Sequence, residues 1–424
     1  MSGADWQRDV LRQLRGEDGA AQADGRLPAP GPAAPGPDPD LAVRPEPAPA
    51  PVPADPTAPV APVTMAGPAL SAASEFSAGP ADGSGLVMPG AVLPAVGPGA
   101  VPRSVSGPAA RPPAIPSPTP VPSVDPDLAP AQRRSRSGDS AVRRTSRSLR
   151  RLLASSASRQ VAEATGVARG LQQPVTTGRQ LVVTSIRGGA GKTTVAALLN
   201  LTYAHYRQDP VLVVEADPAL GTLPIRLGAP SVRWTCSDLA QVISPSMQFA
   251  EITGYLVQVE EGGWLLPGSQ GRVGTRLELA DYRAVMVALR RYFGITVVDC
   301  ETLPNPLART ALAAAQARVL VAPATVEGVA TTRAVLDWMA DVPHPRMLPG
   351  TVVALTAHSP DAAIDPTAAA RHLEAAGVRV VAVPYDRHLA AGGPIRASLL
   401  GQETRMAAGR LAAALLDRAV GKGR

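Results

Sequence analysis

A glycine-rich stretch at residues 187–194 (RGGAGKTT) carries the clearest chemical signal in the sequence. It follows an apolar run and precedes a helical pattern, where such a turn exposes successive backbone N–H groups that can bind phosphate. Lys192 would reach the β- and γ-phosphates of a nucleotide, and the Thr193 hydroxyl would ligate Mg²⁺. Ile186 stands where the usual G-x-x-x-x-G-K-[ST] pattern has its first glycine, so the stretch is a G-G-x-G-K-T-T variant.

Lysine usage supports this interpretation. Of the 41 lysines and arginines in the chain, only Lys192 and Lys422 are lysines. A lysine ammonium is a compact point charge, whereas an arginine guanidinium is planar and delocalised, so the two are not interchangeable at a phosphate site. The use of lysine at position 192 in so arginine-rich a chain therefore indicates a functional role.

Acidic residues end two other apolar runs. Glu215 and Asp217 end VLVVEAD, and their i, i+2 spacing directs both side chains to the same side of a strand. One could orient an attacking water and the other hold a magnesium-bound water, or both could be solvated strand-end acids. Asp299, near the end of ITVVDCE, suits outer-shell Mg²⁺ coordination. Cys300 is expected to be a small buried neighbour, because no histidine is nearby in the sequence to activate it.

These residues lie at the ends of a repeating pattern of elements. Apolar runs typical of buried strands occur at 181–186, 211–217, 295–301, 318–325, 351–357 and 378–386. Helical patterns lie between them at 195–206, 282–293, 307–316, 328–339 and 368–376. This alternation predicts an α/β fold with a parallel β-sheet sandwiched by helices. Right-handed crossovers would bring the carboxyl ends of the strands, and any ligand, to one edge.

The region before this pattern has a different composition. Of 46 prolines in the chain, 29 lie between Pro28 and Pro130. We therefore predict that residues 19–130 form a disordered Pro/Ala-rich region, since this composition buries too little apolar surface to offset ordering entropy. Residues 1–18 have apolar side chains at helical spacing and are predicted to form a short amphipathic helix. That helix would be either a docking peptide or a helix formed only in a bound state.

Residues 131–176 are interpreted as a basic Arg/Ser linker that leads into a helix. Within it, Arg133–Arg151 has eight arginines against one acid, Asp139, whereas the whole chain has a formal charge of +6. The basic character is therefore local. The stretch is either a solvated linker or an electrostatic contact for nucleic acid, an anionic membrane or an acidic partner. The remaining residues, 177–424, would form the folded domain.

Composition excludes several classes of protein. Cys236 and Cys300 cannot form a disulfide framework, and no Cys/His cluster has zinc spacing. The N-terminal stretch has no apolar secretory core, and no apolar run reaches the roughly 18 residues of a membrane span. We expect a cytoplasmic protein, located either in solution or peripherally at the inner face of the plasma membrane.

Together the motifs resemble those of the MinD/ParA family of P-loop ATPases. Residues 187–194, Glu215–Pro218 and Val297–Asp299 match its deviant Walker A, Walker A′ and Walker B elements, and the resemblance covers roughly 180–420. The stretches DPALGTL, VEGVATTRAVLDWM and VPYDRHL are more narrowly similar to the EspI-like ATPases that accompany actinobacterial type VII secretion. The family therefore implies a P-loop fold preceded by a long Pro/Ala-rich leader.

The resemblance implies ATP and Mg²⁺ as ligands, ATP hydrolysis, and an ATP-dependent homodimer. It assigns catalytic roles to Lys192, Asp217 and Arg187, of which Arg187 stands where the family has a signature lysine that reaches the opposite subunit. The residues it assigns to nucleotide binding are Gly188, Gly189, Ala190, Gly191, Lys192, Thr193 and Thr194. The residues it assigns to the metal are Thr193, Asp299 and Glu215.

The resulting expectation is a switch ATPase accessory to type VII protein secretion, with residues 1–150 contacting the secretion machinery. One alternative is a partitioning or cell-division positioning ATPase that binds DNA or membrane. Another is a nucleotide-binding module with little hydrolysis, motivated by Arg187 and Glu215, where the family pattern has lysine and aspartate.

The adenine-contacting Asn of the family is replaced by Ala357-His358, and His358 could contact the base. The last helical pattern, 398–420, is expected to pack on the sheet rather than to attach to a membrane.

Overall fold

The structure is a computed structural model that describes residues 116–131, 137–139 and 157–421, apart from positions 220, 273, 343, 345 and 362. The predictions for residues 1–18 and for 19–115 lie outside these described residues, and so do all eight arginines of the basic stretch. The described part contains one large sheet, one two-stranded sheet and the helices around them.

Most of the strands belong to one mostly parallel sheet. The strands are β1 (Val121–Pro122), β2 (Arg179–Thr184), β3 (Val211–Ala216), β4 (Ser231–Val232), β5 (Val257–Gln258), β6 (Trp264–Leu266), β7 (Ile295–Cys300), β8 (Ala317–Pro323), β9 (Thr351–Thr356) and β10 (Arg379–Val383). The large sheet has the order β10-β9-β8-β2-β7-β3-β6-β5. All its neighbours are parallel except β5 and β6. The predicted α/β fold with a parallel sheet is confirmed.

Helices cover both faces of this sheet. They are α1 (Ala157–Leu171), α2 (Lys192–Tyr206), α3 (Leu223–Arg226), α4 (Cys236–Val242), α5 (Phe249–Thr253), α6 (Leu279–Leu289), α7 (Pro306–Ala314), α8 (Val326–Asp341), α9 (Pro366–Glu374), α10 (Arg387–Ala390) and α11 (Gln402–Ala419). Helices α2 and α11 pack on one face, whereas α4, α6, α7, α8 and α9 pack on the other. Because both faces are covered, strand side chains are buried whichever way they point, which explains the continuous apolar runs.

Strand β2 lies at the centre of the large sheet, between β7 and β8. Its Val183 is paired in register with Asp299 of β7 and with Val319 of β8. Strand β3 lies on the far side of β7, where Glu215 is beside Asp299. The polar residues that end β2, β3 and β7 therefore meet at the carboxyl edge of the sheet, as expected for parallel strands.

Helix α11 is part of the core. The sequence predicts a helix over 398–420, and the structure has a 3₁₀ helix at Ala397–Leu399 followed by α11. Leu411, Leu415 and Leu416 are buried against the sheet and α2. Helix α1 packs on α11 so closely that a Cβ on Gly409 would lie 2.8 Å from Val167 Cγ1. In the described ranges, no helix has both the length and the apolar character needed to cross a bilayer.

Several short elements between β3 and β7 were not anticipated from the sequence. They are helices α3 to α5 and the hairpin formed by β5 and β6. The hairpin strands are only two and three residues long, too short for a periodic pattern to reveal them. Strand β6 extends the parallel sheet by pairing with β3, and antiparallel β5 forms the edge.

The last part of the Pro/Ala-rich leader, from residue 116 onward, has regular secondary structure. Residues 116–131 lie almost wholly within 19–130, yet β1 pairs antiparallel with β4, and a 3₁₀ helix spans Pro126–Ala131. Ser123 N donates to Pro230 O at 3.1 Å, and Gln270 Nε2 donates to Thr119 O at 3.2 Å. The prediction of disorder is therefore wrong for 116–130. The reason is that the folded domain supplies hydrogen-bond partners to a segment that has no core of its own.

A second contact involves residues 137–139, which we call the latch. Gly138 N donates to Leu399 O at 2.7 Å, and Gln402 N donates to Asp139 Oδ2 at 3.4 Å. Gly138 also lies against Asp386, since a Cβ added to it would be 2.3 Å from Asp386 Oδ1. Asp139, the single acid of the basic stretch, thus lies at the N-terminus of α11, where the helix dipole favours a carboxylate.

Candidate functional site

The glycine-rich turn connects β2 to α2 at the carboxyl edge of the sheet, and Lys192 is the first residue of α2. Gly189 and Gly191 have φ angles of 74° and 94°, which residues with a Cβ rarely adopt. A Cβ on Gly188 or Gly189 would meet no atom within 4 Å. The turn therefore leaves space next to the N-terminus of α2, where the helix dipole and free N–H groups favour an anion.

Hydrogen bonds from three strand ends fix the turn. After β2, Ser185 Oγ donates to Arg187 O at 2.7 Å. Ser185 O accepts a hydrogen bond from Leu303 N, in the segment after β7, at 2.9 Å. At the end of β9, Thr356 Oγ1 donates to Ala190 O at 2.9 Å. These hydrogen bonds tie the carbonyls of the turn to the strand ends and restrain its conformation.

The structure brings Asp299 and Thr193 together. Asp299 is 1% exposed, and its carboxyl group forms a hydrogen bond with the Thr193 side chain. Burial raises the pKa of Asp299 to about 7, against the opposing effects of Thr193 and of the Lys192 charge. Asp299 Oδ1 has no hydrogen-bond partner in the part of the chain that the structure describes. A buried carboxyl oxygen without a partner, next to a threonine hydroxyl, fits a hydrated Mg²⁺ ion, which prefers oxygen ligands.

Magnesium would have to complete its coordination with water and phosphate oxygens. Among the described residues, no group of three or more His, Cys, Asp or Glu side chains could hold a metal ion. Mg²⁺ keeps several waters and is commonly bound by one or two protein groups together with substrate phosphates. The pair formed by Thr193 and Asp299 suits that mode of binding.

Asp217 and Glu301 extend this cluster of acids. Burial raises the pKa of half-buried Asp217, while Lys192 and a hydrogen bond from the Ala219 amide lower it. The pKa of Glu301 is raised by burial and by the charge of Asp217. Glu301 also accepts a hydrogen bond from Asn305 Nδ2. Sequence reasoning did not propose Glu301 as a site residue, although its position just after β7 was a usable signal.

Lys192 is the cation shared by these acids. Its charge lowers the pKa of Asp217, Asp299 and Glu301 alike. The turn residues, Asp217 and Asp299 therefore form one site at the carboxyl edge.

Glu215, which is predicted to bind the metal, has both carboxyl oxygens engaged by backbone amides. Its side chain is 1% exposed, and its oxygens Oε1 and Oε2 accept hydrogen bonds from Leu223 N at 3.0 Å and Gly268 N at 3.1 Å. Burial raises its pKa to about 8 despite these two amides. Glu215 therefore joins the N-terminus of α3 to the loop after β6. The i, i+2 spacing gives the direction of a side chain but not its partners, which here come from two distant loops.

Arg187 lies at the exposed rim of the turn. The pKa of exposed Glu327 is lowered by hydrogen bonds involving its own backbone and Thr325, and to a smaller extent by the charge of Arg187. Arg187 is thus near the N-terminus of α8. Of the three residues predicted to be catalytic, Lys192 and Asp217 share the acidic cluster, whereas Arg187 is on the surface.

A cavity of about 260 Å³ opens beside the turn. It is lined by Gly191, Thr194, Val195, Leu198, Thr356, Ala357, His358, Val383, Pro384, Tyr385, Asp386, Leu389 and Ala390. His358 Nε2 would be 3.4 Å from a Cβ on Gly191, so His358 lies next to the turn. Apolar walls with a few polar and aromatic groups are typical of small-molecule sites. Tyr385 and Asp386 were not proposed as site residues from the sequence, although they end the strand run predicted at 378–386.

Sequence comparison finds the ESX-1 secretion-associated protein EspI of Mycobacterium tuberculosis, in strains CDC 1551 / Oshkosh and ATCC 25618 / H37Rv. Each is 29% identical to this chain over 248 residues, which are 56% of this chain and 36% of the relative. The chain thus covers about a third of the length of these relatives. The resemblance to EspI that the sequence motifs indicated is confirmed. No protein-family model matches the chain.

Solved structures with a similar arrangement include three ATPases. The ParA family ATPase from Chlorobium tepidum TLS is 14% identical with a TM-score of 0.43, covering 57% of this chain and 99% of that chain. The cell division ATPase MinD of Pyrococcus furiosus is 21% identical with a TM-score of 0.40, and the match covers 57% of this chain and 98% of that chain. The MinC:MinD complex of Aquifex aeolicus matches at 18% identity with a TM-score of 0.41, covering 55% and 95%.

Proposed function

We propose that this chain is a magnesium-dependent ATPase of the MinD/ParA type that acts as a nucleotide-controlled switch accessory to type VII protein secretion. One observation carries the proposal: a left-handed glycine turn places Lys192 at the first position of α2, beside the acids Asp217 and Asp299. Such a turn can bind a triphosphate through main-chain amides and one ammonium group. The name of the curated relative, an ESX-1 secretion-associated protein, supports the secretion role.

The side chains around the turn suit different parts of phosphoryl transfer. Lys192 would bind the β- and γ-phosphate oxygens and offset the charge that develops during transfer. Asp217, half-buried and close to Lys192, would orient the attacking water. Thr193 would hold Mg²⁺ directly and Asp299 through a bound water, and the ion when bound neutralises charge on the phosphates.

The cavity beside the turn is the proposed site of the nucleoside. Gly191 and Thr194 belong both to the turn and to the cavity wall, so one nucleotide can occupy both places. His358 and Tyr385 line this cavity and would contact a base in that position.

Arg187 is proposed to act between two copies of the chain. Its side chain is exposed at the rim of the turn, so in an ATP-bound homodimer it would reach the nucleotide held by the partner subunit. A guanidinium can bind two phosphate oxygens at once, which preserves the charge of the family's lysine. We propose further that residues 1–150 contact the secretion machinery on the cytoplasmic side. The stretch Arg133–Arg151 would add a contact with nucleic acid or the anionic inner face of the plasma membrane.

Lys192→Ala tests nucleotide binding, and the only other lysine of the chain provides a matched control in Lys422→Ala. We expect titration calorimetry with Mg-ATP to give heat for the wild type and for Lys422→Ala, and none for Lys192→Ala. Lys192→Arg should weaken binding about tenfold, because the guanidinium is planar and larger than an ammonium group. Wild-type turnover in Lys192→Ala, or no heat from the wild type, would contradict the proposal.

A second candidate is a module that binds ATP but hardly hydrolyses it. One observation favours it: both oxygens of Glu215 are bound by backbone amides. Single-turnover hydrolysis of bound ATP separates the candidates. An ATPase should lose about a hundredfold or more in rate in Asp217→Ala, whereas a module should show the same slow rate with and without Asp217.

A further inference from the structure

Arg226, the last residue of α3, is a buried charged side chain. It is 9% exposed, and burial lowers its pKa. Its guanidinium donates to three neutral acceptors: Thr194 Oγ1 at 2.9 Å, Gly393 O at 3.1 Å and Leu389 O at 3.2 Å. Within the described ranges, no carboxylate forms an ion pair with it. Its position is therefore defined by directional hydrogen bonds rather than by an opposite charge.

The three acceptors belong to two walls of the nucleotide site. Thr194 is in the first turn of α2, directly after the lysine and threonine that would bind phosphate and magnesium. Leu389 lies in α10 and lines the cavity, and Gly393 follows in the same segment. The backbone adds a further tie, because Ile395 N donates to Arg226 O at 2.8 Å. Arg226 thus spans from the phosphate-binding turn to the far wall of the cavity.

The helix that carries Arg226 is itself held in place. Its first residue, Leu223, donates its amide hydrogen to the buried carboxyl group of Glu215 at the end of β3. The same carboxyl group accepts from Gly268. A continuous chain of hydrogen bonds therefore leads from the central sheet through Glu215 and α3 to Arg226, and from there to both walls. This gives the buried Glu215 a role other than metal ligation.

We propose that Arg226 is a positioning residue that fixes the spacing between the phosphate-binding turn and the cavity, so that one nucleotide can bind in both at once. The inference rests on the proposed function. A ligand that uses two subsites gains affinity only when they are held at the right separation. Loss of Arg226 should therefore weaken the binding of a ligand that has a nucleoside much more than the binding of one that has phosphates alone.

The test compares ATP with inorganic tripolyphosphate, both with Mg²⁺, by titration calorimetry on the full chain. In Arg226→Gln the dissociation constant for ATP should rise about tenfold, as expected for loss of hydrogen bonds from a charged donor. That for tripolyphosphate should change less than about twofold. Arg226→Lys should behave like Arg226→Gln, because an ammonium keeps the charge but cannot span three acceptors. Recovery of ATP affinity in Arg226→Lys would overturn the proposal in favour of a purely electrostatic role.

Thr194→Val tests the same hydrogen bond from the acceptor side and can be used if the Arg226 variants do not fold. It removes one acceptor at nearly constant volume and should lower the affinity ratio of ATP to tripolyphosphate in the same direction. In the double variant the two effects should be less than additive, as expected for residues in contact. An unchanged ratio in the folded variants, or an equal loss for both ligands, would overturn the role of Arg226. If the wild type bound neither ligand, the proposed function itself would fail, and this inference with it.

Discussion

At the scale of single residues, four carboxyl groups crowd one edge of the sheet. Burial is the first cause of the raised pKa of each, to about 8 for Glu215 and about 7 for Asp299. Asp217 and Glu301 are shifted in the same direction. Such a cluster is unfavourable to keep charged without a cation, and its raised pKa values mark a candidate functional site.

We predict that the metal-free protein loses stability as pH rises from about 6.5 to 8. A carboxyl group with a raised pKa keeps its proton in the folded state where the unfolded chain has released it, so the free energy of unfolding falls with rising pH in this window. Urea unfolding in EDTA at several pH values would measure the slope. His388, whose pKa is lowered by burial, has the opposite effect, which fades as pH rises above the ordinary histidine pKa of about 6.5.

Asp299→Asn should make this decline shallower, because it removes one of the groups that take up a proton on folding in this pH range. It should also raise the stability of the metal-free protein at pH 8, since an amide carries no charge to desolvate. Asp361→Asn, at an exposed acid, is the matched control and should keep the wild-type slope. A flat profile in the wild type, or an unchanged slope in Asp299→Asn, would refute the prediction.

Residue types predicted part of this site. The glycine spacing and the rarity of lysine identified Lys192 and its turn, because main-chain geometry and charge are local properties. The role of Glu215 was not predictable, because its partners, the amides of Leu223 and Gly268, come from loops whose positions depend on the whole fold. Arg226 escaped prediction for the same reason.

At the scale of elements, the burial of α11 between α1 and the sheet is the feature with the clearest consequence. In the described structure the apolar side of this helix is already covered by protein. A helix whose apolar face binds lipid would instead keep that face free. Mutations on this face should therefore act on stability.

Leu415→Ala should lower the free energy of unfolding by about 2–5 kcal/mol, since Leu415 is fully buried and its truncation leaves a cavity. Met406→Ala, in the same helix but half-buried, should cost less and is the control. Chemical denaturation of the two variants provides the measurement. Equal and small effects would contradict the packing of α11.

Long elements were predicted well, and short ones were not. The runs at 181–186, 211–217 and 295–301 match β2, β3 and β7 within about two residues, because a strand buried on both faces is apolar throughout. Strands β5 and β6 were missed, since so few residues establish no period. Their positions depend on pairing with β3, a tertiary contact.

At the scale of the whole molecule, the chain ahead of α1 contacts the rest of the described structure at two places. One is the pairing of β1 with β4, and the other is the latch at residues 137–139. The latch touches Asp386, which caps α10 through the amides of His388 and Leu389 and also lines the cavity. The latch therefore contacts a residue that also lines the proposed nucleotide site.

Gly138→Ala should release the latch, because its Cβ would lie 2.3 Å from Asp386 Oδ1. We expect faster amide hydrogen exchange at residues 138 and 402, whose N–H groups donate to Leu399 O and to Asp139. Gly166→Ala is the control, since a Cβ there meets nothing within 4 Å and alanine favours a helix. Unchanged exchange in Gly138→Ala would show that the latch does not hold Gly138 in place.

Composition alone could not reveal these attachments. The proline content predicts that the leader has no core of its own, but it does not predict which hydrogen-bond partners a neighbouring domain supplies. Strand β4 supplies the pairing that β1 lacks, and α11 supplies an N-terminus for Asp139.

The order of the two attachments along the chain determines which contacts would bear a pulling force first. A partner that pulled on the polypeptide ahead of residue 116 would load the contacts of Thr119 and β1 first, because these are the first contacts from that end among the described residues. Two backbone pairs form a weak joint, and the tension would then pass to Gly138 and Asp139. Tension on the chain ahead of residue 116 would thus reach Asp386, which lines the cavity, before it reached the interior of the sheet.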